Sequence, residues 1–451
     1  MNDHQHISKR FGSRSYLLIA ILLAILPASL SACTQRDAMA PVVPGAVLET
    51  ALPEGVHQVA SLTPSPGPWP TPTPAATKVL APPEELFVPP DFGVSLFAEN
   101  VGPVRMLAYS PSGDLFASQP QANRIVAITD RLYDGVMDEV HTFAEEAGLN
   151  QPNGIAFRPG WLYVANTDGI VRFPYQPGDL KATGGAEMVL PLPAGGQSPL
   201  RALAFGPDGA LYVSIGASCN ACQETDLRRA AVLRVAADGE GSDGSGGSGG
   251  SIGTIRSARF AQGLHFAGGL AFQPETHDLW ATEDSRDELG DNLPPEELNR
   301  LTAAANYGWP FCFGAQQLDA TVPGASAAFC RATTPPAVAL PPHVTPTGLA
   351  FYNGRMFPAD YRGSLFVAYA GSTTRSIPVG YSVARVPFSN GAPSGPAEDF
   401  VRGWLHADTR RWGRPVDVAV APDGALMVSD EGGGRVYRVF YSLKPTPTPH
   451  F

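Results

Sequence analysis

Seven acidic residues lie from Glu283 to Glu297 in the stretch ATEDSRDELGDNLPPEELNRLTAAANYGWP, residues 281 to 310. The stretch is rich in turn formers and sits between two apolar runs, so it reads as a loop that presents side chains rather than as part of a core. Carboxylates at Glu283, Asp287, Glu288 and Asp291, with Asp284 among them, are spaced to hold a hard cation such as calcium, backbone carbonyls completing the sphere. The same spacing also suits a solvated acidic loop.

A second group of polar side chains precedes six short apolar runs. It comprises Arg105, Asn153, Arg201, His265, His343 and Arg414. If the runs surround one axis, these residues meet at one mouth of it. Guanidinium groups collected in this way suit a planar ligand with several carboxylates, because each can bind a carboxylate through two parallel hydrogen bonds. Pairing with Asp417, Asp287 or other carboxylates would instead fill the channel. His141, His277 and His406 lie in strand or loop contexts where solvent exposure or a satisfied hydrogen bond is the usual explanation, and they are assigned no role.

The elements that must position these groups follow a repeat. Each unit opens with a small-aromatic strand: Leu107-Ala-Tyr109, Ile155-Ala-Phe157, Leu203-Ala-Phe205, Leu270-Ala-Phe272, Leu349-Ala-Phe351 and Val418-Ala-Val420. A turn follows, with Pro-Asp-Gly at residues 207 to 209 and 422 to 424, then a second strand. Third strands read Arg124 to Ile128, Gly169 to Phe173, Ala231 to Val235, Glu297 to Leu301, Tyr381 to Val386 and Arg435 to Val439. Fourth strands follow several units, as at Glu139 to Phe143, Glu187 to Leu190 and Asp399 to Arg402. Six copies of one antiparallel sheet predict an all-β fold, a six-bladed β-propeller. The last unit lacks a fourth strand, and Gly93 to Phe97 is expected to supply it and close the ring.

The ends of the chain are of another kind. Lys9, Arg10 and Arg14 precede an apolar run from Tyr16 to Leu26, and Leu30-Ser-Ala-Cys33 resembles a bacterial lipobox. Residues 1 to 32 are therefore expected to be a signal peptide and Cys33 to carry lipid, tethering an exported protein to an extracytoplasmic membrane face, periplasmic or at the cell surface. Residues 33 to 83 read as a Pro/Thr-rich tether, 84 to 443 as the propeller, and 444 to 451 as a short tail of the same composition as the tether. The net charge is −11 and no run of Lys or Arg occurs, which argues against a nucleic-acid partner. Once Cys33 is set aside, four cysteines remain, and two disulfides, Cys219 to Cys222 and Cys312 to Cys330, are the simplest expectation for an exported chain. A zinc site would need a second closely spaced pair.

From about Pro90 to Tyr441 the chain resembles the glucose/sorbosone dehydrogenase family of soluble six-bladed propellers. The resemblance is carried by Thr282 to Asn299 followed by Asn306-Tyr-Gly-Trp-Pro310, by Leu203 to Val213 running into Ser218-Cys-Asn-Ala-Cys222, by Phe357 to Gly363, and by Trp412-Gly-Arg-Pro415. It implies pyrroloquinoline quinone (PQQ) and calcium as cofactors and the oxidation of an aldose or sorbosone-like substrate, with an electron acceptor still to be named. In the family a histidine takes the substrate proton; the matching position here is Ser198. If the chain is an enzyme, His265 or His343 is expected to replace that base, with Arg105, Arg201, Arg375 and Arg414 holding the cofactor. Gly263-Leu-His-Phe-Ala267 and Ala370-Gly-Ser-Thr-Thr-Arg375 depart from the family pattern as well. The alternative is a catalytically inactive propeller that binds a ligand or a protein.

Overall fold

The computed structural model describes residues 79–146, 148–236 and 257–442. The expected leader, Cys33, the tether up to residue 78, the Gly/Ser run at 241 to 250 and the tail lie outside the described residues.

Among the described residues six four-stranded antiparallel sheets make up the body of the fold, and their innermost strands touch one another in sequence, the last also touching the first. The first blade is typical: Leu107–Tyr109, Leu115–Gln119, Arg124–Thr129 and Glu139–Glu145. In the sixth blade the outer strand is Phe92–Ala98, paired antiparallel with Arg435–Tyr441. The N-terminal strand therefore closes the ring and removes two sheet edges that could recruit other chains. Small hairpins interrupt the fourth and fifth blades, at Cys312–Phe313 with Gln317–Leu318 and at Phe388–Ser389 with Ala392–Pro393. Both expected disulfides are present, Cys219–Cys222 and Cys312–Cys330.

The repeat has a packing reason. In four successive blades the aromatic residue of the second strand meets the aromatic residue of the next blade's first strand. The pairs are Phe116 with Phe157, Tyr163 with Phe205, Tyr212 with Phe272 and Trp280 with Phe351, with ring centroids 5.0, 5.1, 5.2 and 6.4 Å apart and planes near perpendicular. Each such pair adds roughly 0.5–1.5 kcal/mol beyond the area it buries, so the seams between blades are fixed by edge-to-face rings. Tight first turns need glycine: Gly113, Gly209 and Gly424 have φ of +89°, +74° and +92°.

At the axis, the residue before each inner apolar position is Met106, Gly154, Ala202, Gly269, Gly348 or Asp417. A Cβ on Gly348 would stand 1.7 Å from Asp417 Oδ1, so only glycine lets the two backbones approach there. Asp417 Oδ2 accepts the Leu107 N–H at 2.7 Å and so joins the sixth blade to the first beside a channel space of about 90 Å³.

Candidate active site at the channel mouth

Antiparallel pairing places the start of each inner strand and the end of its second strand on the same face. Arg105 N–H bonds Ser118 O at 2.8 Å, Asp284 N–H bonds Phe266 O at 2.9 Å, and Glu431 N–H bonds Arg414 O at 3.0 Å. These segments surround a cavity of about 380 Å³ whose wall includes Arg105, Ser198, Phe266, Asp284, Arg414 and Glu431. That volume lies in the range of small-molecule sites. Gln121, Gln151, Gln197 and Thr345 line the wall as well, and so does Thr347, whose hydroxyl is committed to Val416 O.

The charges are arranged around Glu431. Arg105 Nη1 lies 2.9 Å and Arg414 Nη1 3.6 Å from the same oxygen, Glu431 Oε2, and Gln121 donates to the other oxygen at 3.0 Å. Arg105 is fixed further by its Nε–H, which donates to Asn153 Oδ1 at 2.9 Å. Burial pushes the Glu431 carboxyl up, but the Arg105 and Arg414 charges outweigh it and hold the group below its usual value. Across the cavity Asp284 keeps part of its surface on the open space. Burial, then the charge of Asp287, push its carboxyl up to about 7 against the opposing pull of Arg414, His343 and a hydrogen bond from Thr345.

The expected site residues divide here. Arg105 and Arg414 line the cavity, as does Ser198. Arg201 does not: it is fully buried, and its guanidinium donates to the carbonyls of Ser198, Leu200, Thr167 and Pro193 at 2.7 to 3.3 Å. Burial lowers it to about 10, and its task is to brace the loop that carries Ser198. Arg375 is absent from the wall and acts on Asp291.

The two candidate histidines are likewise withdrawn. His265 Nδ1 lies 2.8 Å from the Asp284 carbonyl, its ring is 5.8 Å from that of Trp309, and burial lowers its proton affinity. His343 Nε2 donates to Gly290 O at 2.9 Å, while Nδ1 lies 3.3 Å from Asp287 Oδ1. Both brace the acidic loop, and neither stands in the cavity wall.

The four carboxylates expected to share a cation face four different ways. Asp287 meets His343 and Thr374, Glu288 accepts from Asn220, and Asp291 receives the N–H and hydroxyl of Ser376. Glu283 turns inward. There it meets Glu297, which the cation expectation had left out: Asn299 Nδ2 donates to Glu283 Oε2 at 3.1 Å and to Glu297 Oε2 at 3.0 Å, beside a void of about 10 Å³. Two buried carboxylates in hydrogen-bonding contact cannot both be charged without a compensating proton or cation. Burial accordingly raises both, Glu297 to about 7. All four oxygens of this pair already accept N–H groups, from His265, Asn299 and Gly314, and Arg286 shares the lining. The pair as it stands therefore suits a shared proton and supplies only two of the roughly six to eight oxygen ligands a calcium ion takes. Asp287, Glu288 and Asp291 do not converge on a cation either.

The cavity itself fits a planar polyanion in part. It offers two guanidinium groups and several amide and hydroxyl donors, with Glu431 as the resident anion that an incoming carboxylate must displace or share. What the sequence reading missed, Glu431, Gln121 and the wall position of Asp284, comes from the ends of second strands. The available signal was the antiparallel repeat, which brings those ends to the mouth as surely as the starts of the first strands.

The calcium structure of a Trichoderma reesei carbohydrate-active enzyme of family AA12 superposes with a TM-score of 0.66 at 19% identity, covering 79% of this chain and 97% of that one. The holo PQQ domain of pyranose dehydrogenase from Coprinopsis cinerea gives 0.66 at 18% identity, covering 81% and 99%. The PQQ-bound aldose sugar dehydrogenase of Streptomyces coelicolor gives 0.54 at 22% identity, covering 78% and 99%. At these identities the likeness shows the fold, a six-bladed propeller. An uncharacterized protein of Borreliella burgdorferi is 34% identical over 183 residues, and one of Synechocystis is 30% identical over 182. These matches span 40% and 38% of this chain, and 48% and 42% of the relatives' own length. The sequence model of the TrAA12-like family matches residues 86–441, nearly the whole propeller, and the chain belongs to that family.

Proposed function

We propose that the chain is a sugar oxidoreductase that oxidises a hydroxyl or aldehyde of an aldose or sorbosone-like substrate at the channel mouth, with PQQ and calcium as cofactors. The observation that supports this reading is the single cavity of about 380 Å³ faced by Arg105, Arg414 and Asp284 together. When bound, PQQ supplies a two-electron acceptor. Arg105 and Arg414 hold an anionic ligand against the wall, and Glu431 keeps the two guanidinium groups oriented before it arrives. Asp284 accepts the proton of the substrate hydroxyl, because the other lining carboxylate, Glu431, is committed to the arginines and Ser198 has no proton affinity near neutral pH. Gln197 and Ser198 orient sugar hydroxyls, and the Phe266 ring shields one side from water. If calcium binds, Glu283 and Glu297 would be its buried carboxylates, and its other oxygen ligands would have to come from outside this pair. In this reading the protein works outside the cytoplasm, anchored by lipid on Cys33, and labelled palmitate should be incorporated by the wild type and not by Cys33→Ala.

The test is titration of the mature chain with PQQ and calcium, followed by dye reduction over a panel of aldoses. Calcium-dependent binding with turnover is expected; no binding would overturn the cofactor reading. One observation favours a second reading: Ser198 lines the cavity and neither His265 nor His343 does. Binding without turnover on any sugar would identify an inactive propeller that serves as a ligand- or protein-binding module.

A further inference from the structure

Next to the cavity, and sharing Arg414 with it, lies a second recess of about 250 Å³. Arg411, Trp412, Arg414 and Tyr381 form its sides, and the backbone at Gly413 and Gly432 lies among its lining. Arg414 lines both spaces, so its side chain is a wall they share.

The recess is a built feature. Trp412 donates its indole N–H to Gly403 O at 2.7 Å, and its ring lies 6.2 Å from that of Trp404. Tyr381 donates to Ser372 O at 2.8 Å and accepts from Arg411 Nη1 at 2.7 Å, which holds that guanidinium 5.6 Å from the tyrosine ring. A Cβ at Gly413 would stand 2.2 Å from Trp404 Cδ1, so the chain is kept bare there. Among the described residues no carboxylate lies within 4.0 Å of Arg411, and the one near Arg414 is Glu431 at 3.6 Å. Arg411 is exposed, so the N–H groups it does not spend on Tyr381 face solvent, where they can meet an incoming anion beside Arg414. Tyr381 is buried, but the half-buried Trp412 ring suits the apolar C–H face of a pyranose, and a guanidinium suits a carboxylate bidentately.

We propose that this recess is a saccharide subsite for a uronate ring. The substrate is then an acidic saccharide, with one ring in the 380 Å³ cavity and a neighbouring uronate seated on Trp412, its carboxylate against Arg411 and Arg414. Its role in turnover rests on the sugar-oxidoreductase reading; its binding chemistry does not.

Calorimetric titration of the mature chain, without added cofactor, separates the two. Digalacturonate is expected to bind roughly tenfold or more tightly than neutral galactobiose at low salt, and to lose that advantage as salt rises. Arg411→Gln, with its melting temperature matched to the wild type, should erase the difference and leave the neutral sugar's affinity in place, while Arg411→Lys should keep part of it. Equal binding of the two sugars, no binding of either up to about 10 mM, or an acid preference intact in Arg411→Gln would overturn the proposal. A sulfated disaccharide binding as tightly as the uronate would overturn the carboxylate assignment. Acid preference with no turnover of any sugar would sink the oxidoreductase reading and leave this one standing.

Discussion

Arg105 and Arg201 stand at the same place in the repeat, two residues before the inner leucine, yet the structure uses them differently. Arg105 meets a carboxylate and faces the cavity; Arg201 turns into the protein and saturates four carbonyls. The difference shows as stability against binding. Arg201→Ala should leave several buried carbonyls without donors and cost about 3 kcal/mol or more, read as a lower melting temperature. Arg414→Ala, at a half-exposed site, should melt within about 1 °C of the wild type and bind an anionic ligand at least tenfold more weakly. The reverse pattern would show the roles to be misassigned. Asp284→Asn keeps the shape of the wall and removes the proton acceptor; kcat should fall roughly 100-fold or more with little change in KM. Activity near the wild-type level would exclude Asp284 as the base. Arginine type and position were legible in the sequence. Whether a guanidinium points to the cavity or back into a loop was not, because that depends on which carbonyls the fold leaves unpaired nearby.

At the scale of elements, the fourth blade shows what a repeat conveys and what it hides. Its first two strands, Leu270–Phe272 and Leu279–Glu283, follow the common pattern, and the loop after them is visibly acidic. The partner of Glu283 is nevertheless on the third strand, where Glu297 pairs directly with it in register. A reading that grouped carboxylates by closeness in sequence chose Asp287, Glu288 and Asp291; strand register chose Glu297. Closure of the ring by Phe92–Ala98 was legible for a simple reason, since the last unit is one strand short and an unpaired edge must be covered. If Glu283 and Glu297 share a cation, calcium should raise the melting temperature of the wild type by several degrees and leave Glu297→Gln unmoved. An equal rise in both proteins would place the ion elsewhere.

Over the whole molecule, the axis is where six blades must agree, and Asp417 is the one ionisable residue among the six that precede the inner apolar positions. Gly348 yields room for it, and Leu107 of the first blade donates to it, so the last blade is latched to the first at the centre as well as at the rim. Burial pushes its carboxyl up to about 7, against backbone hydrogen bonds from Leu107 and Val418 and the pull of Arg105. Below the unfolded value of about 3.9 both states carry the proton and the group has no effect on stability. Between about 4 and 7 the unfolded chain releases it while the folded chain retains it, so stability falls as pH rises and levels off above 7, a loss on the order of 4 kcal/mol at most. Asp417→Asn can still accept from Leu107 and has nothing to titrate. Relative to the wild type it should therefore gain stability steadily from pH 4 to pH 7, seen as converging or crossing denaturation midpoints. Parallel pH curves for the two proteins would mean that water reaches the axis and keeps Asp417 ionised at ordinary acidity, and that the latch is an ordinary hydrogen bond.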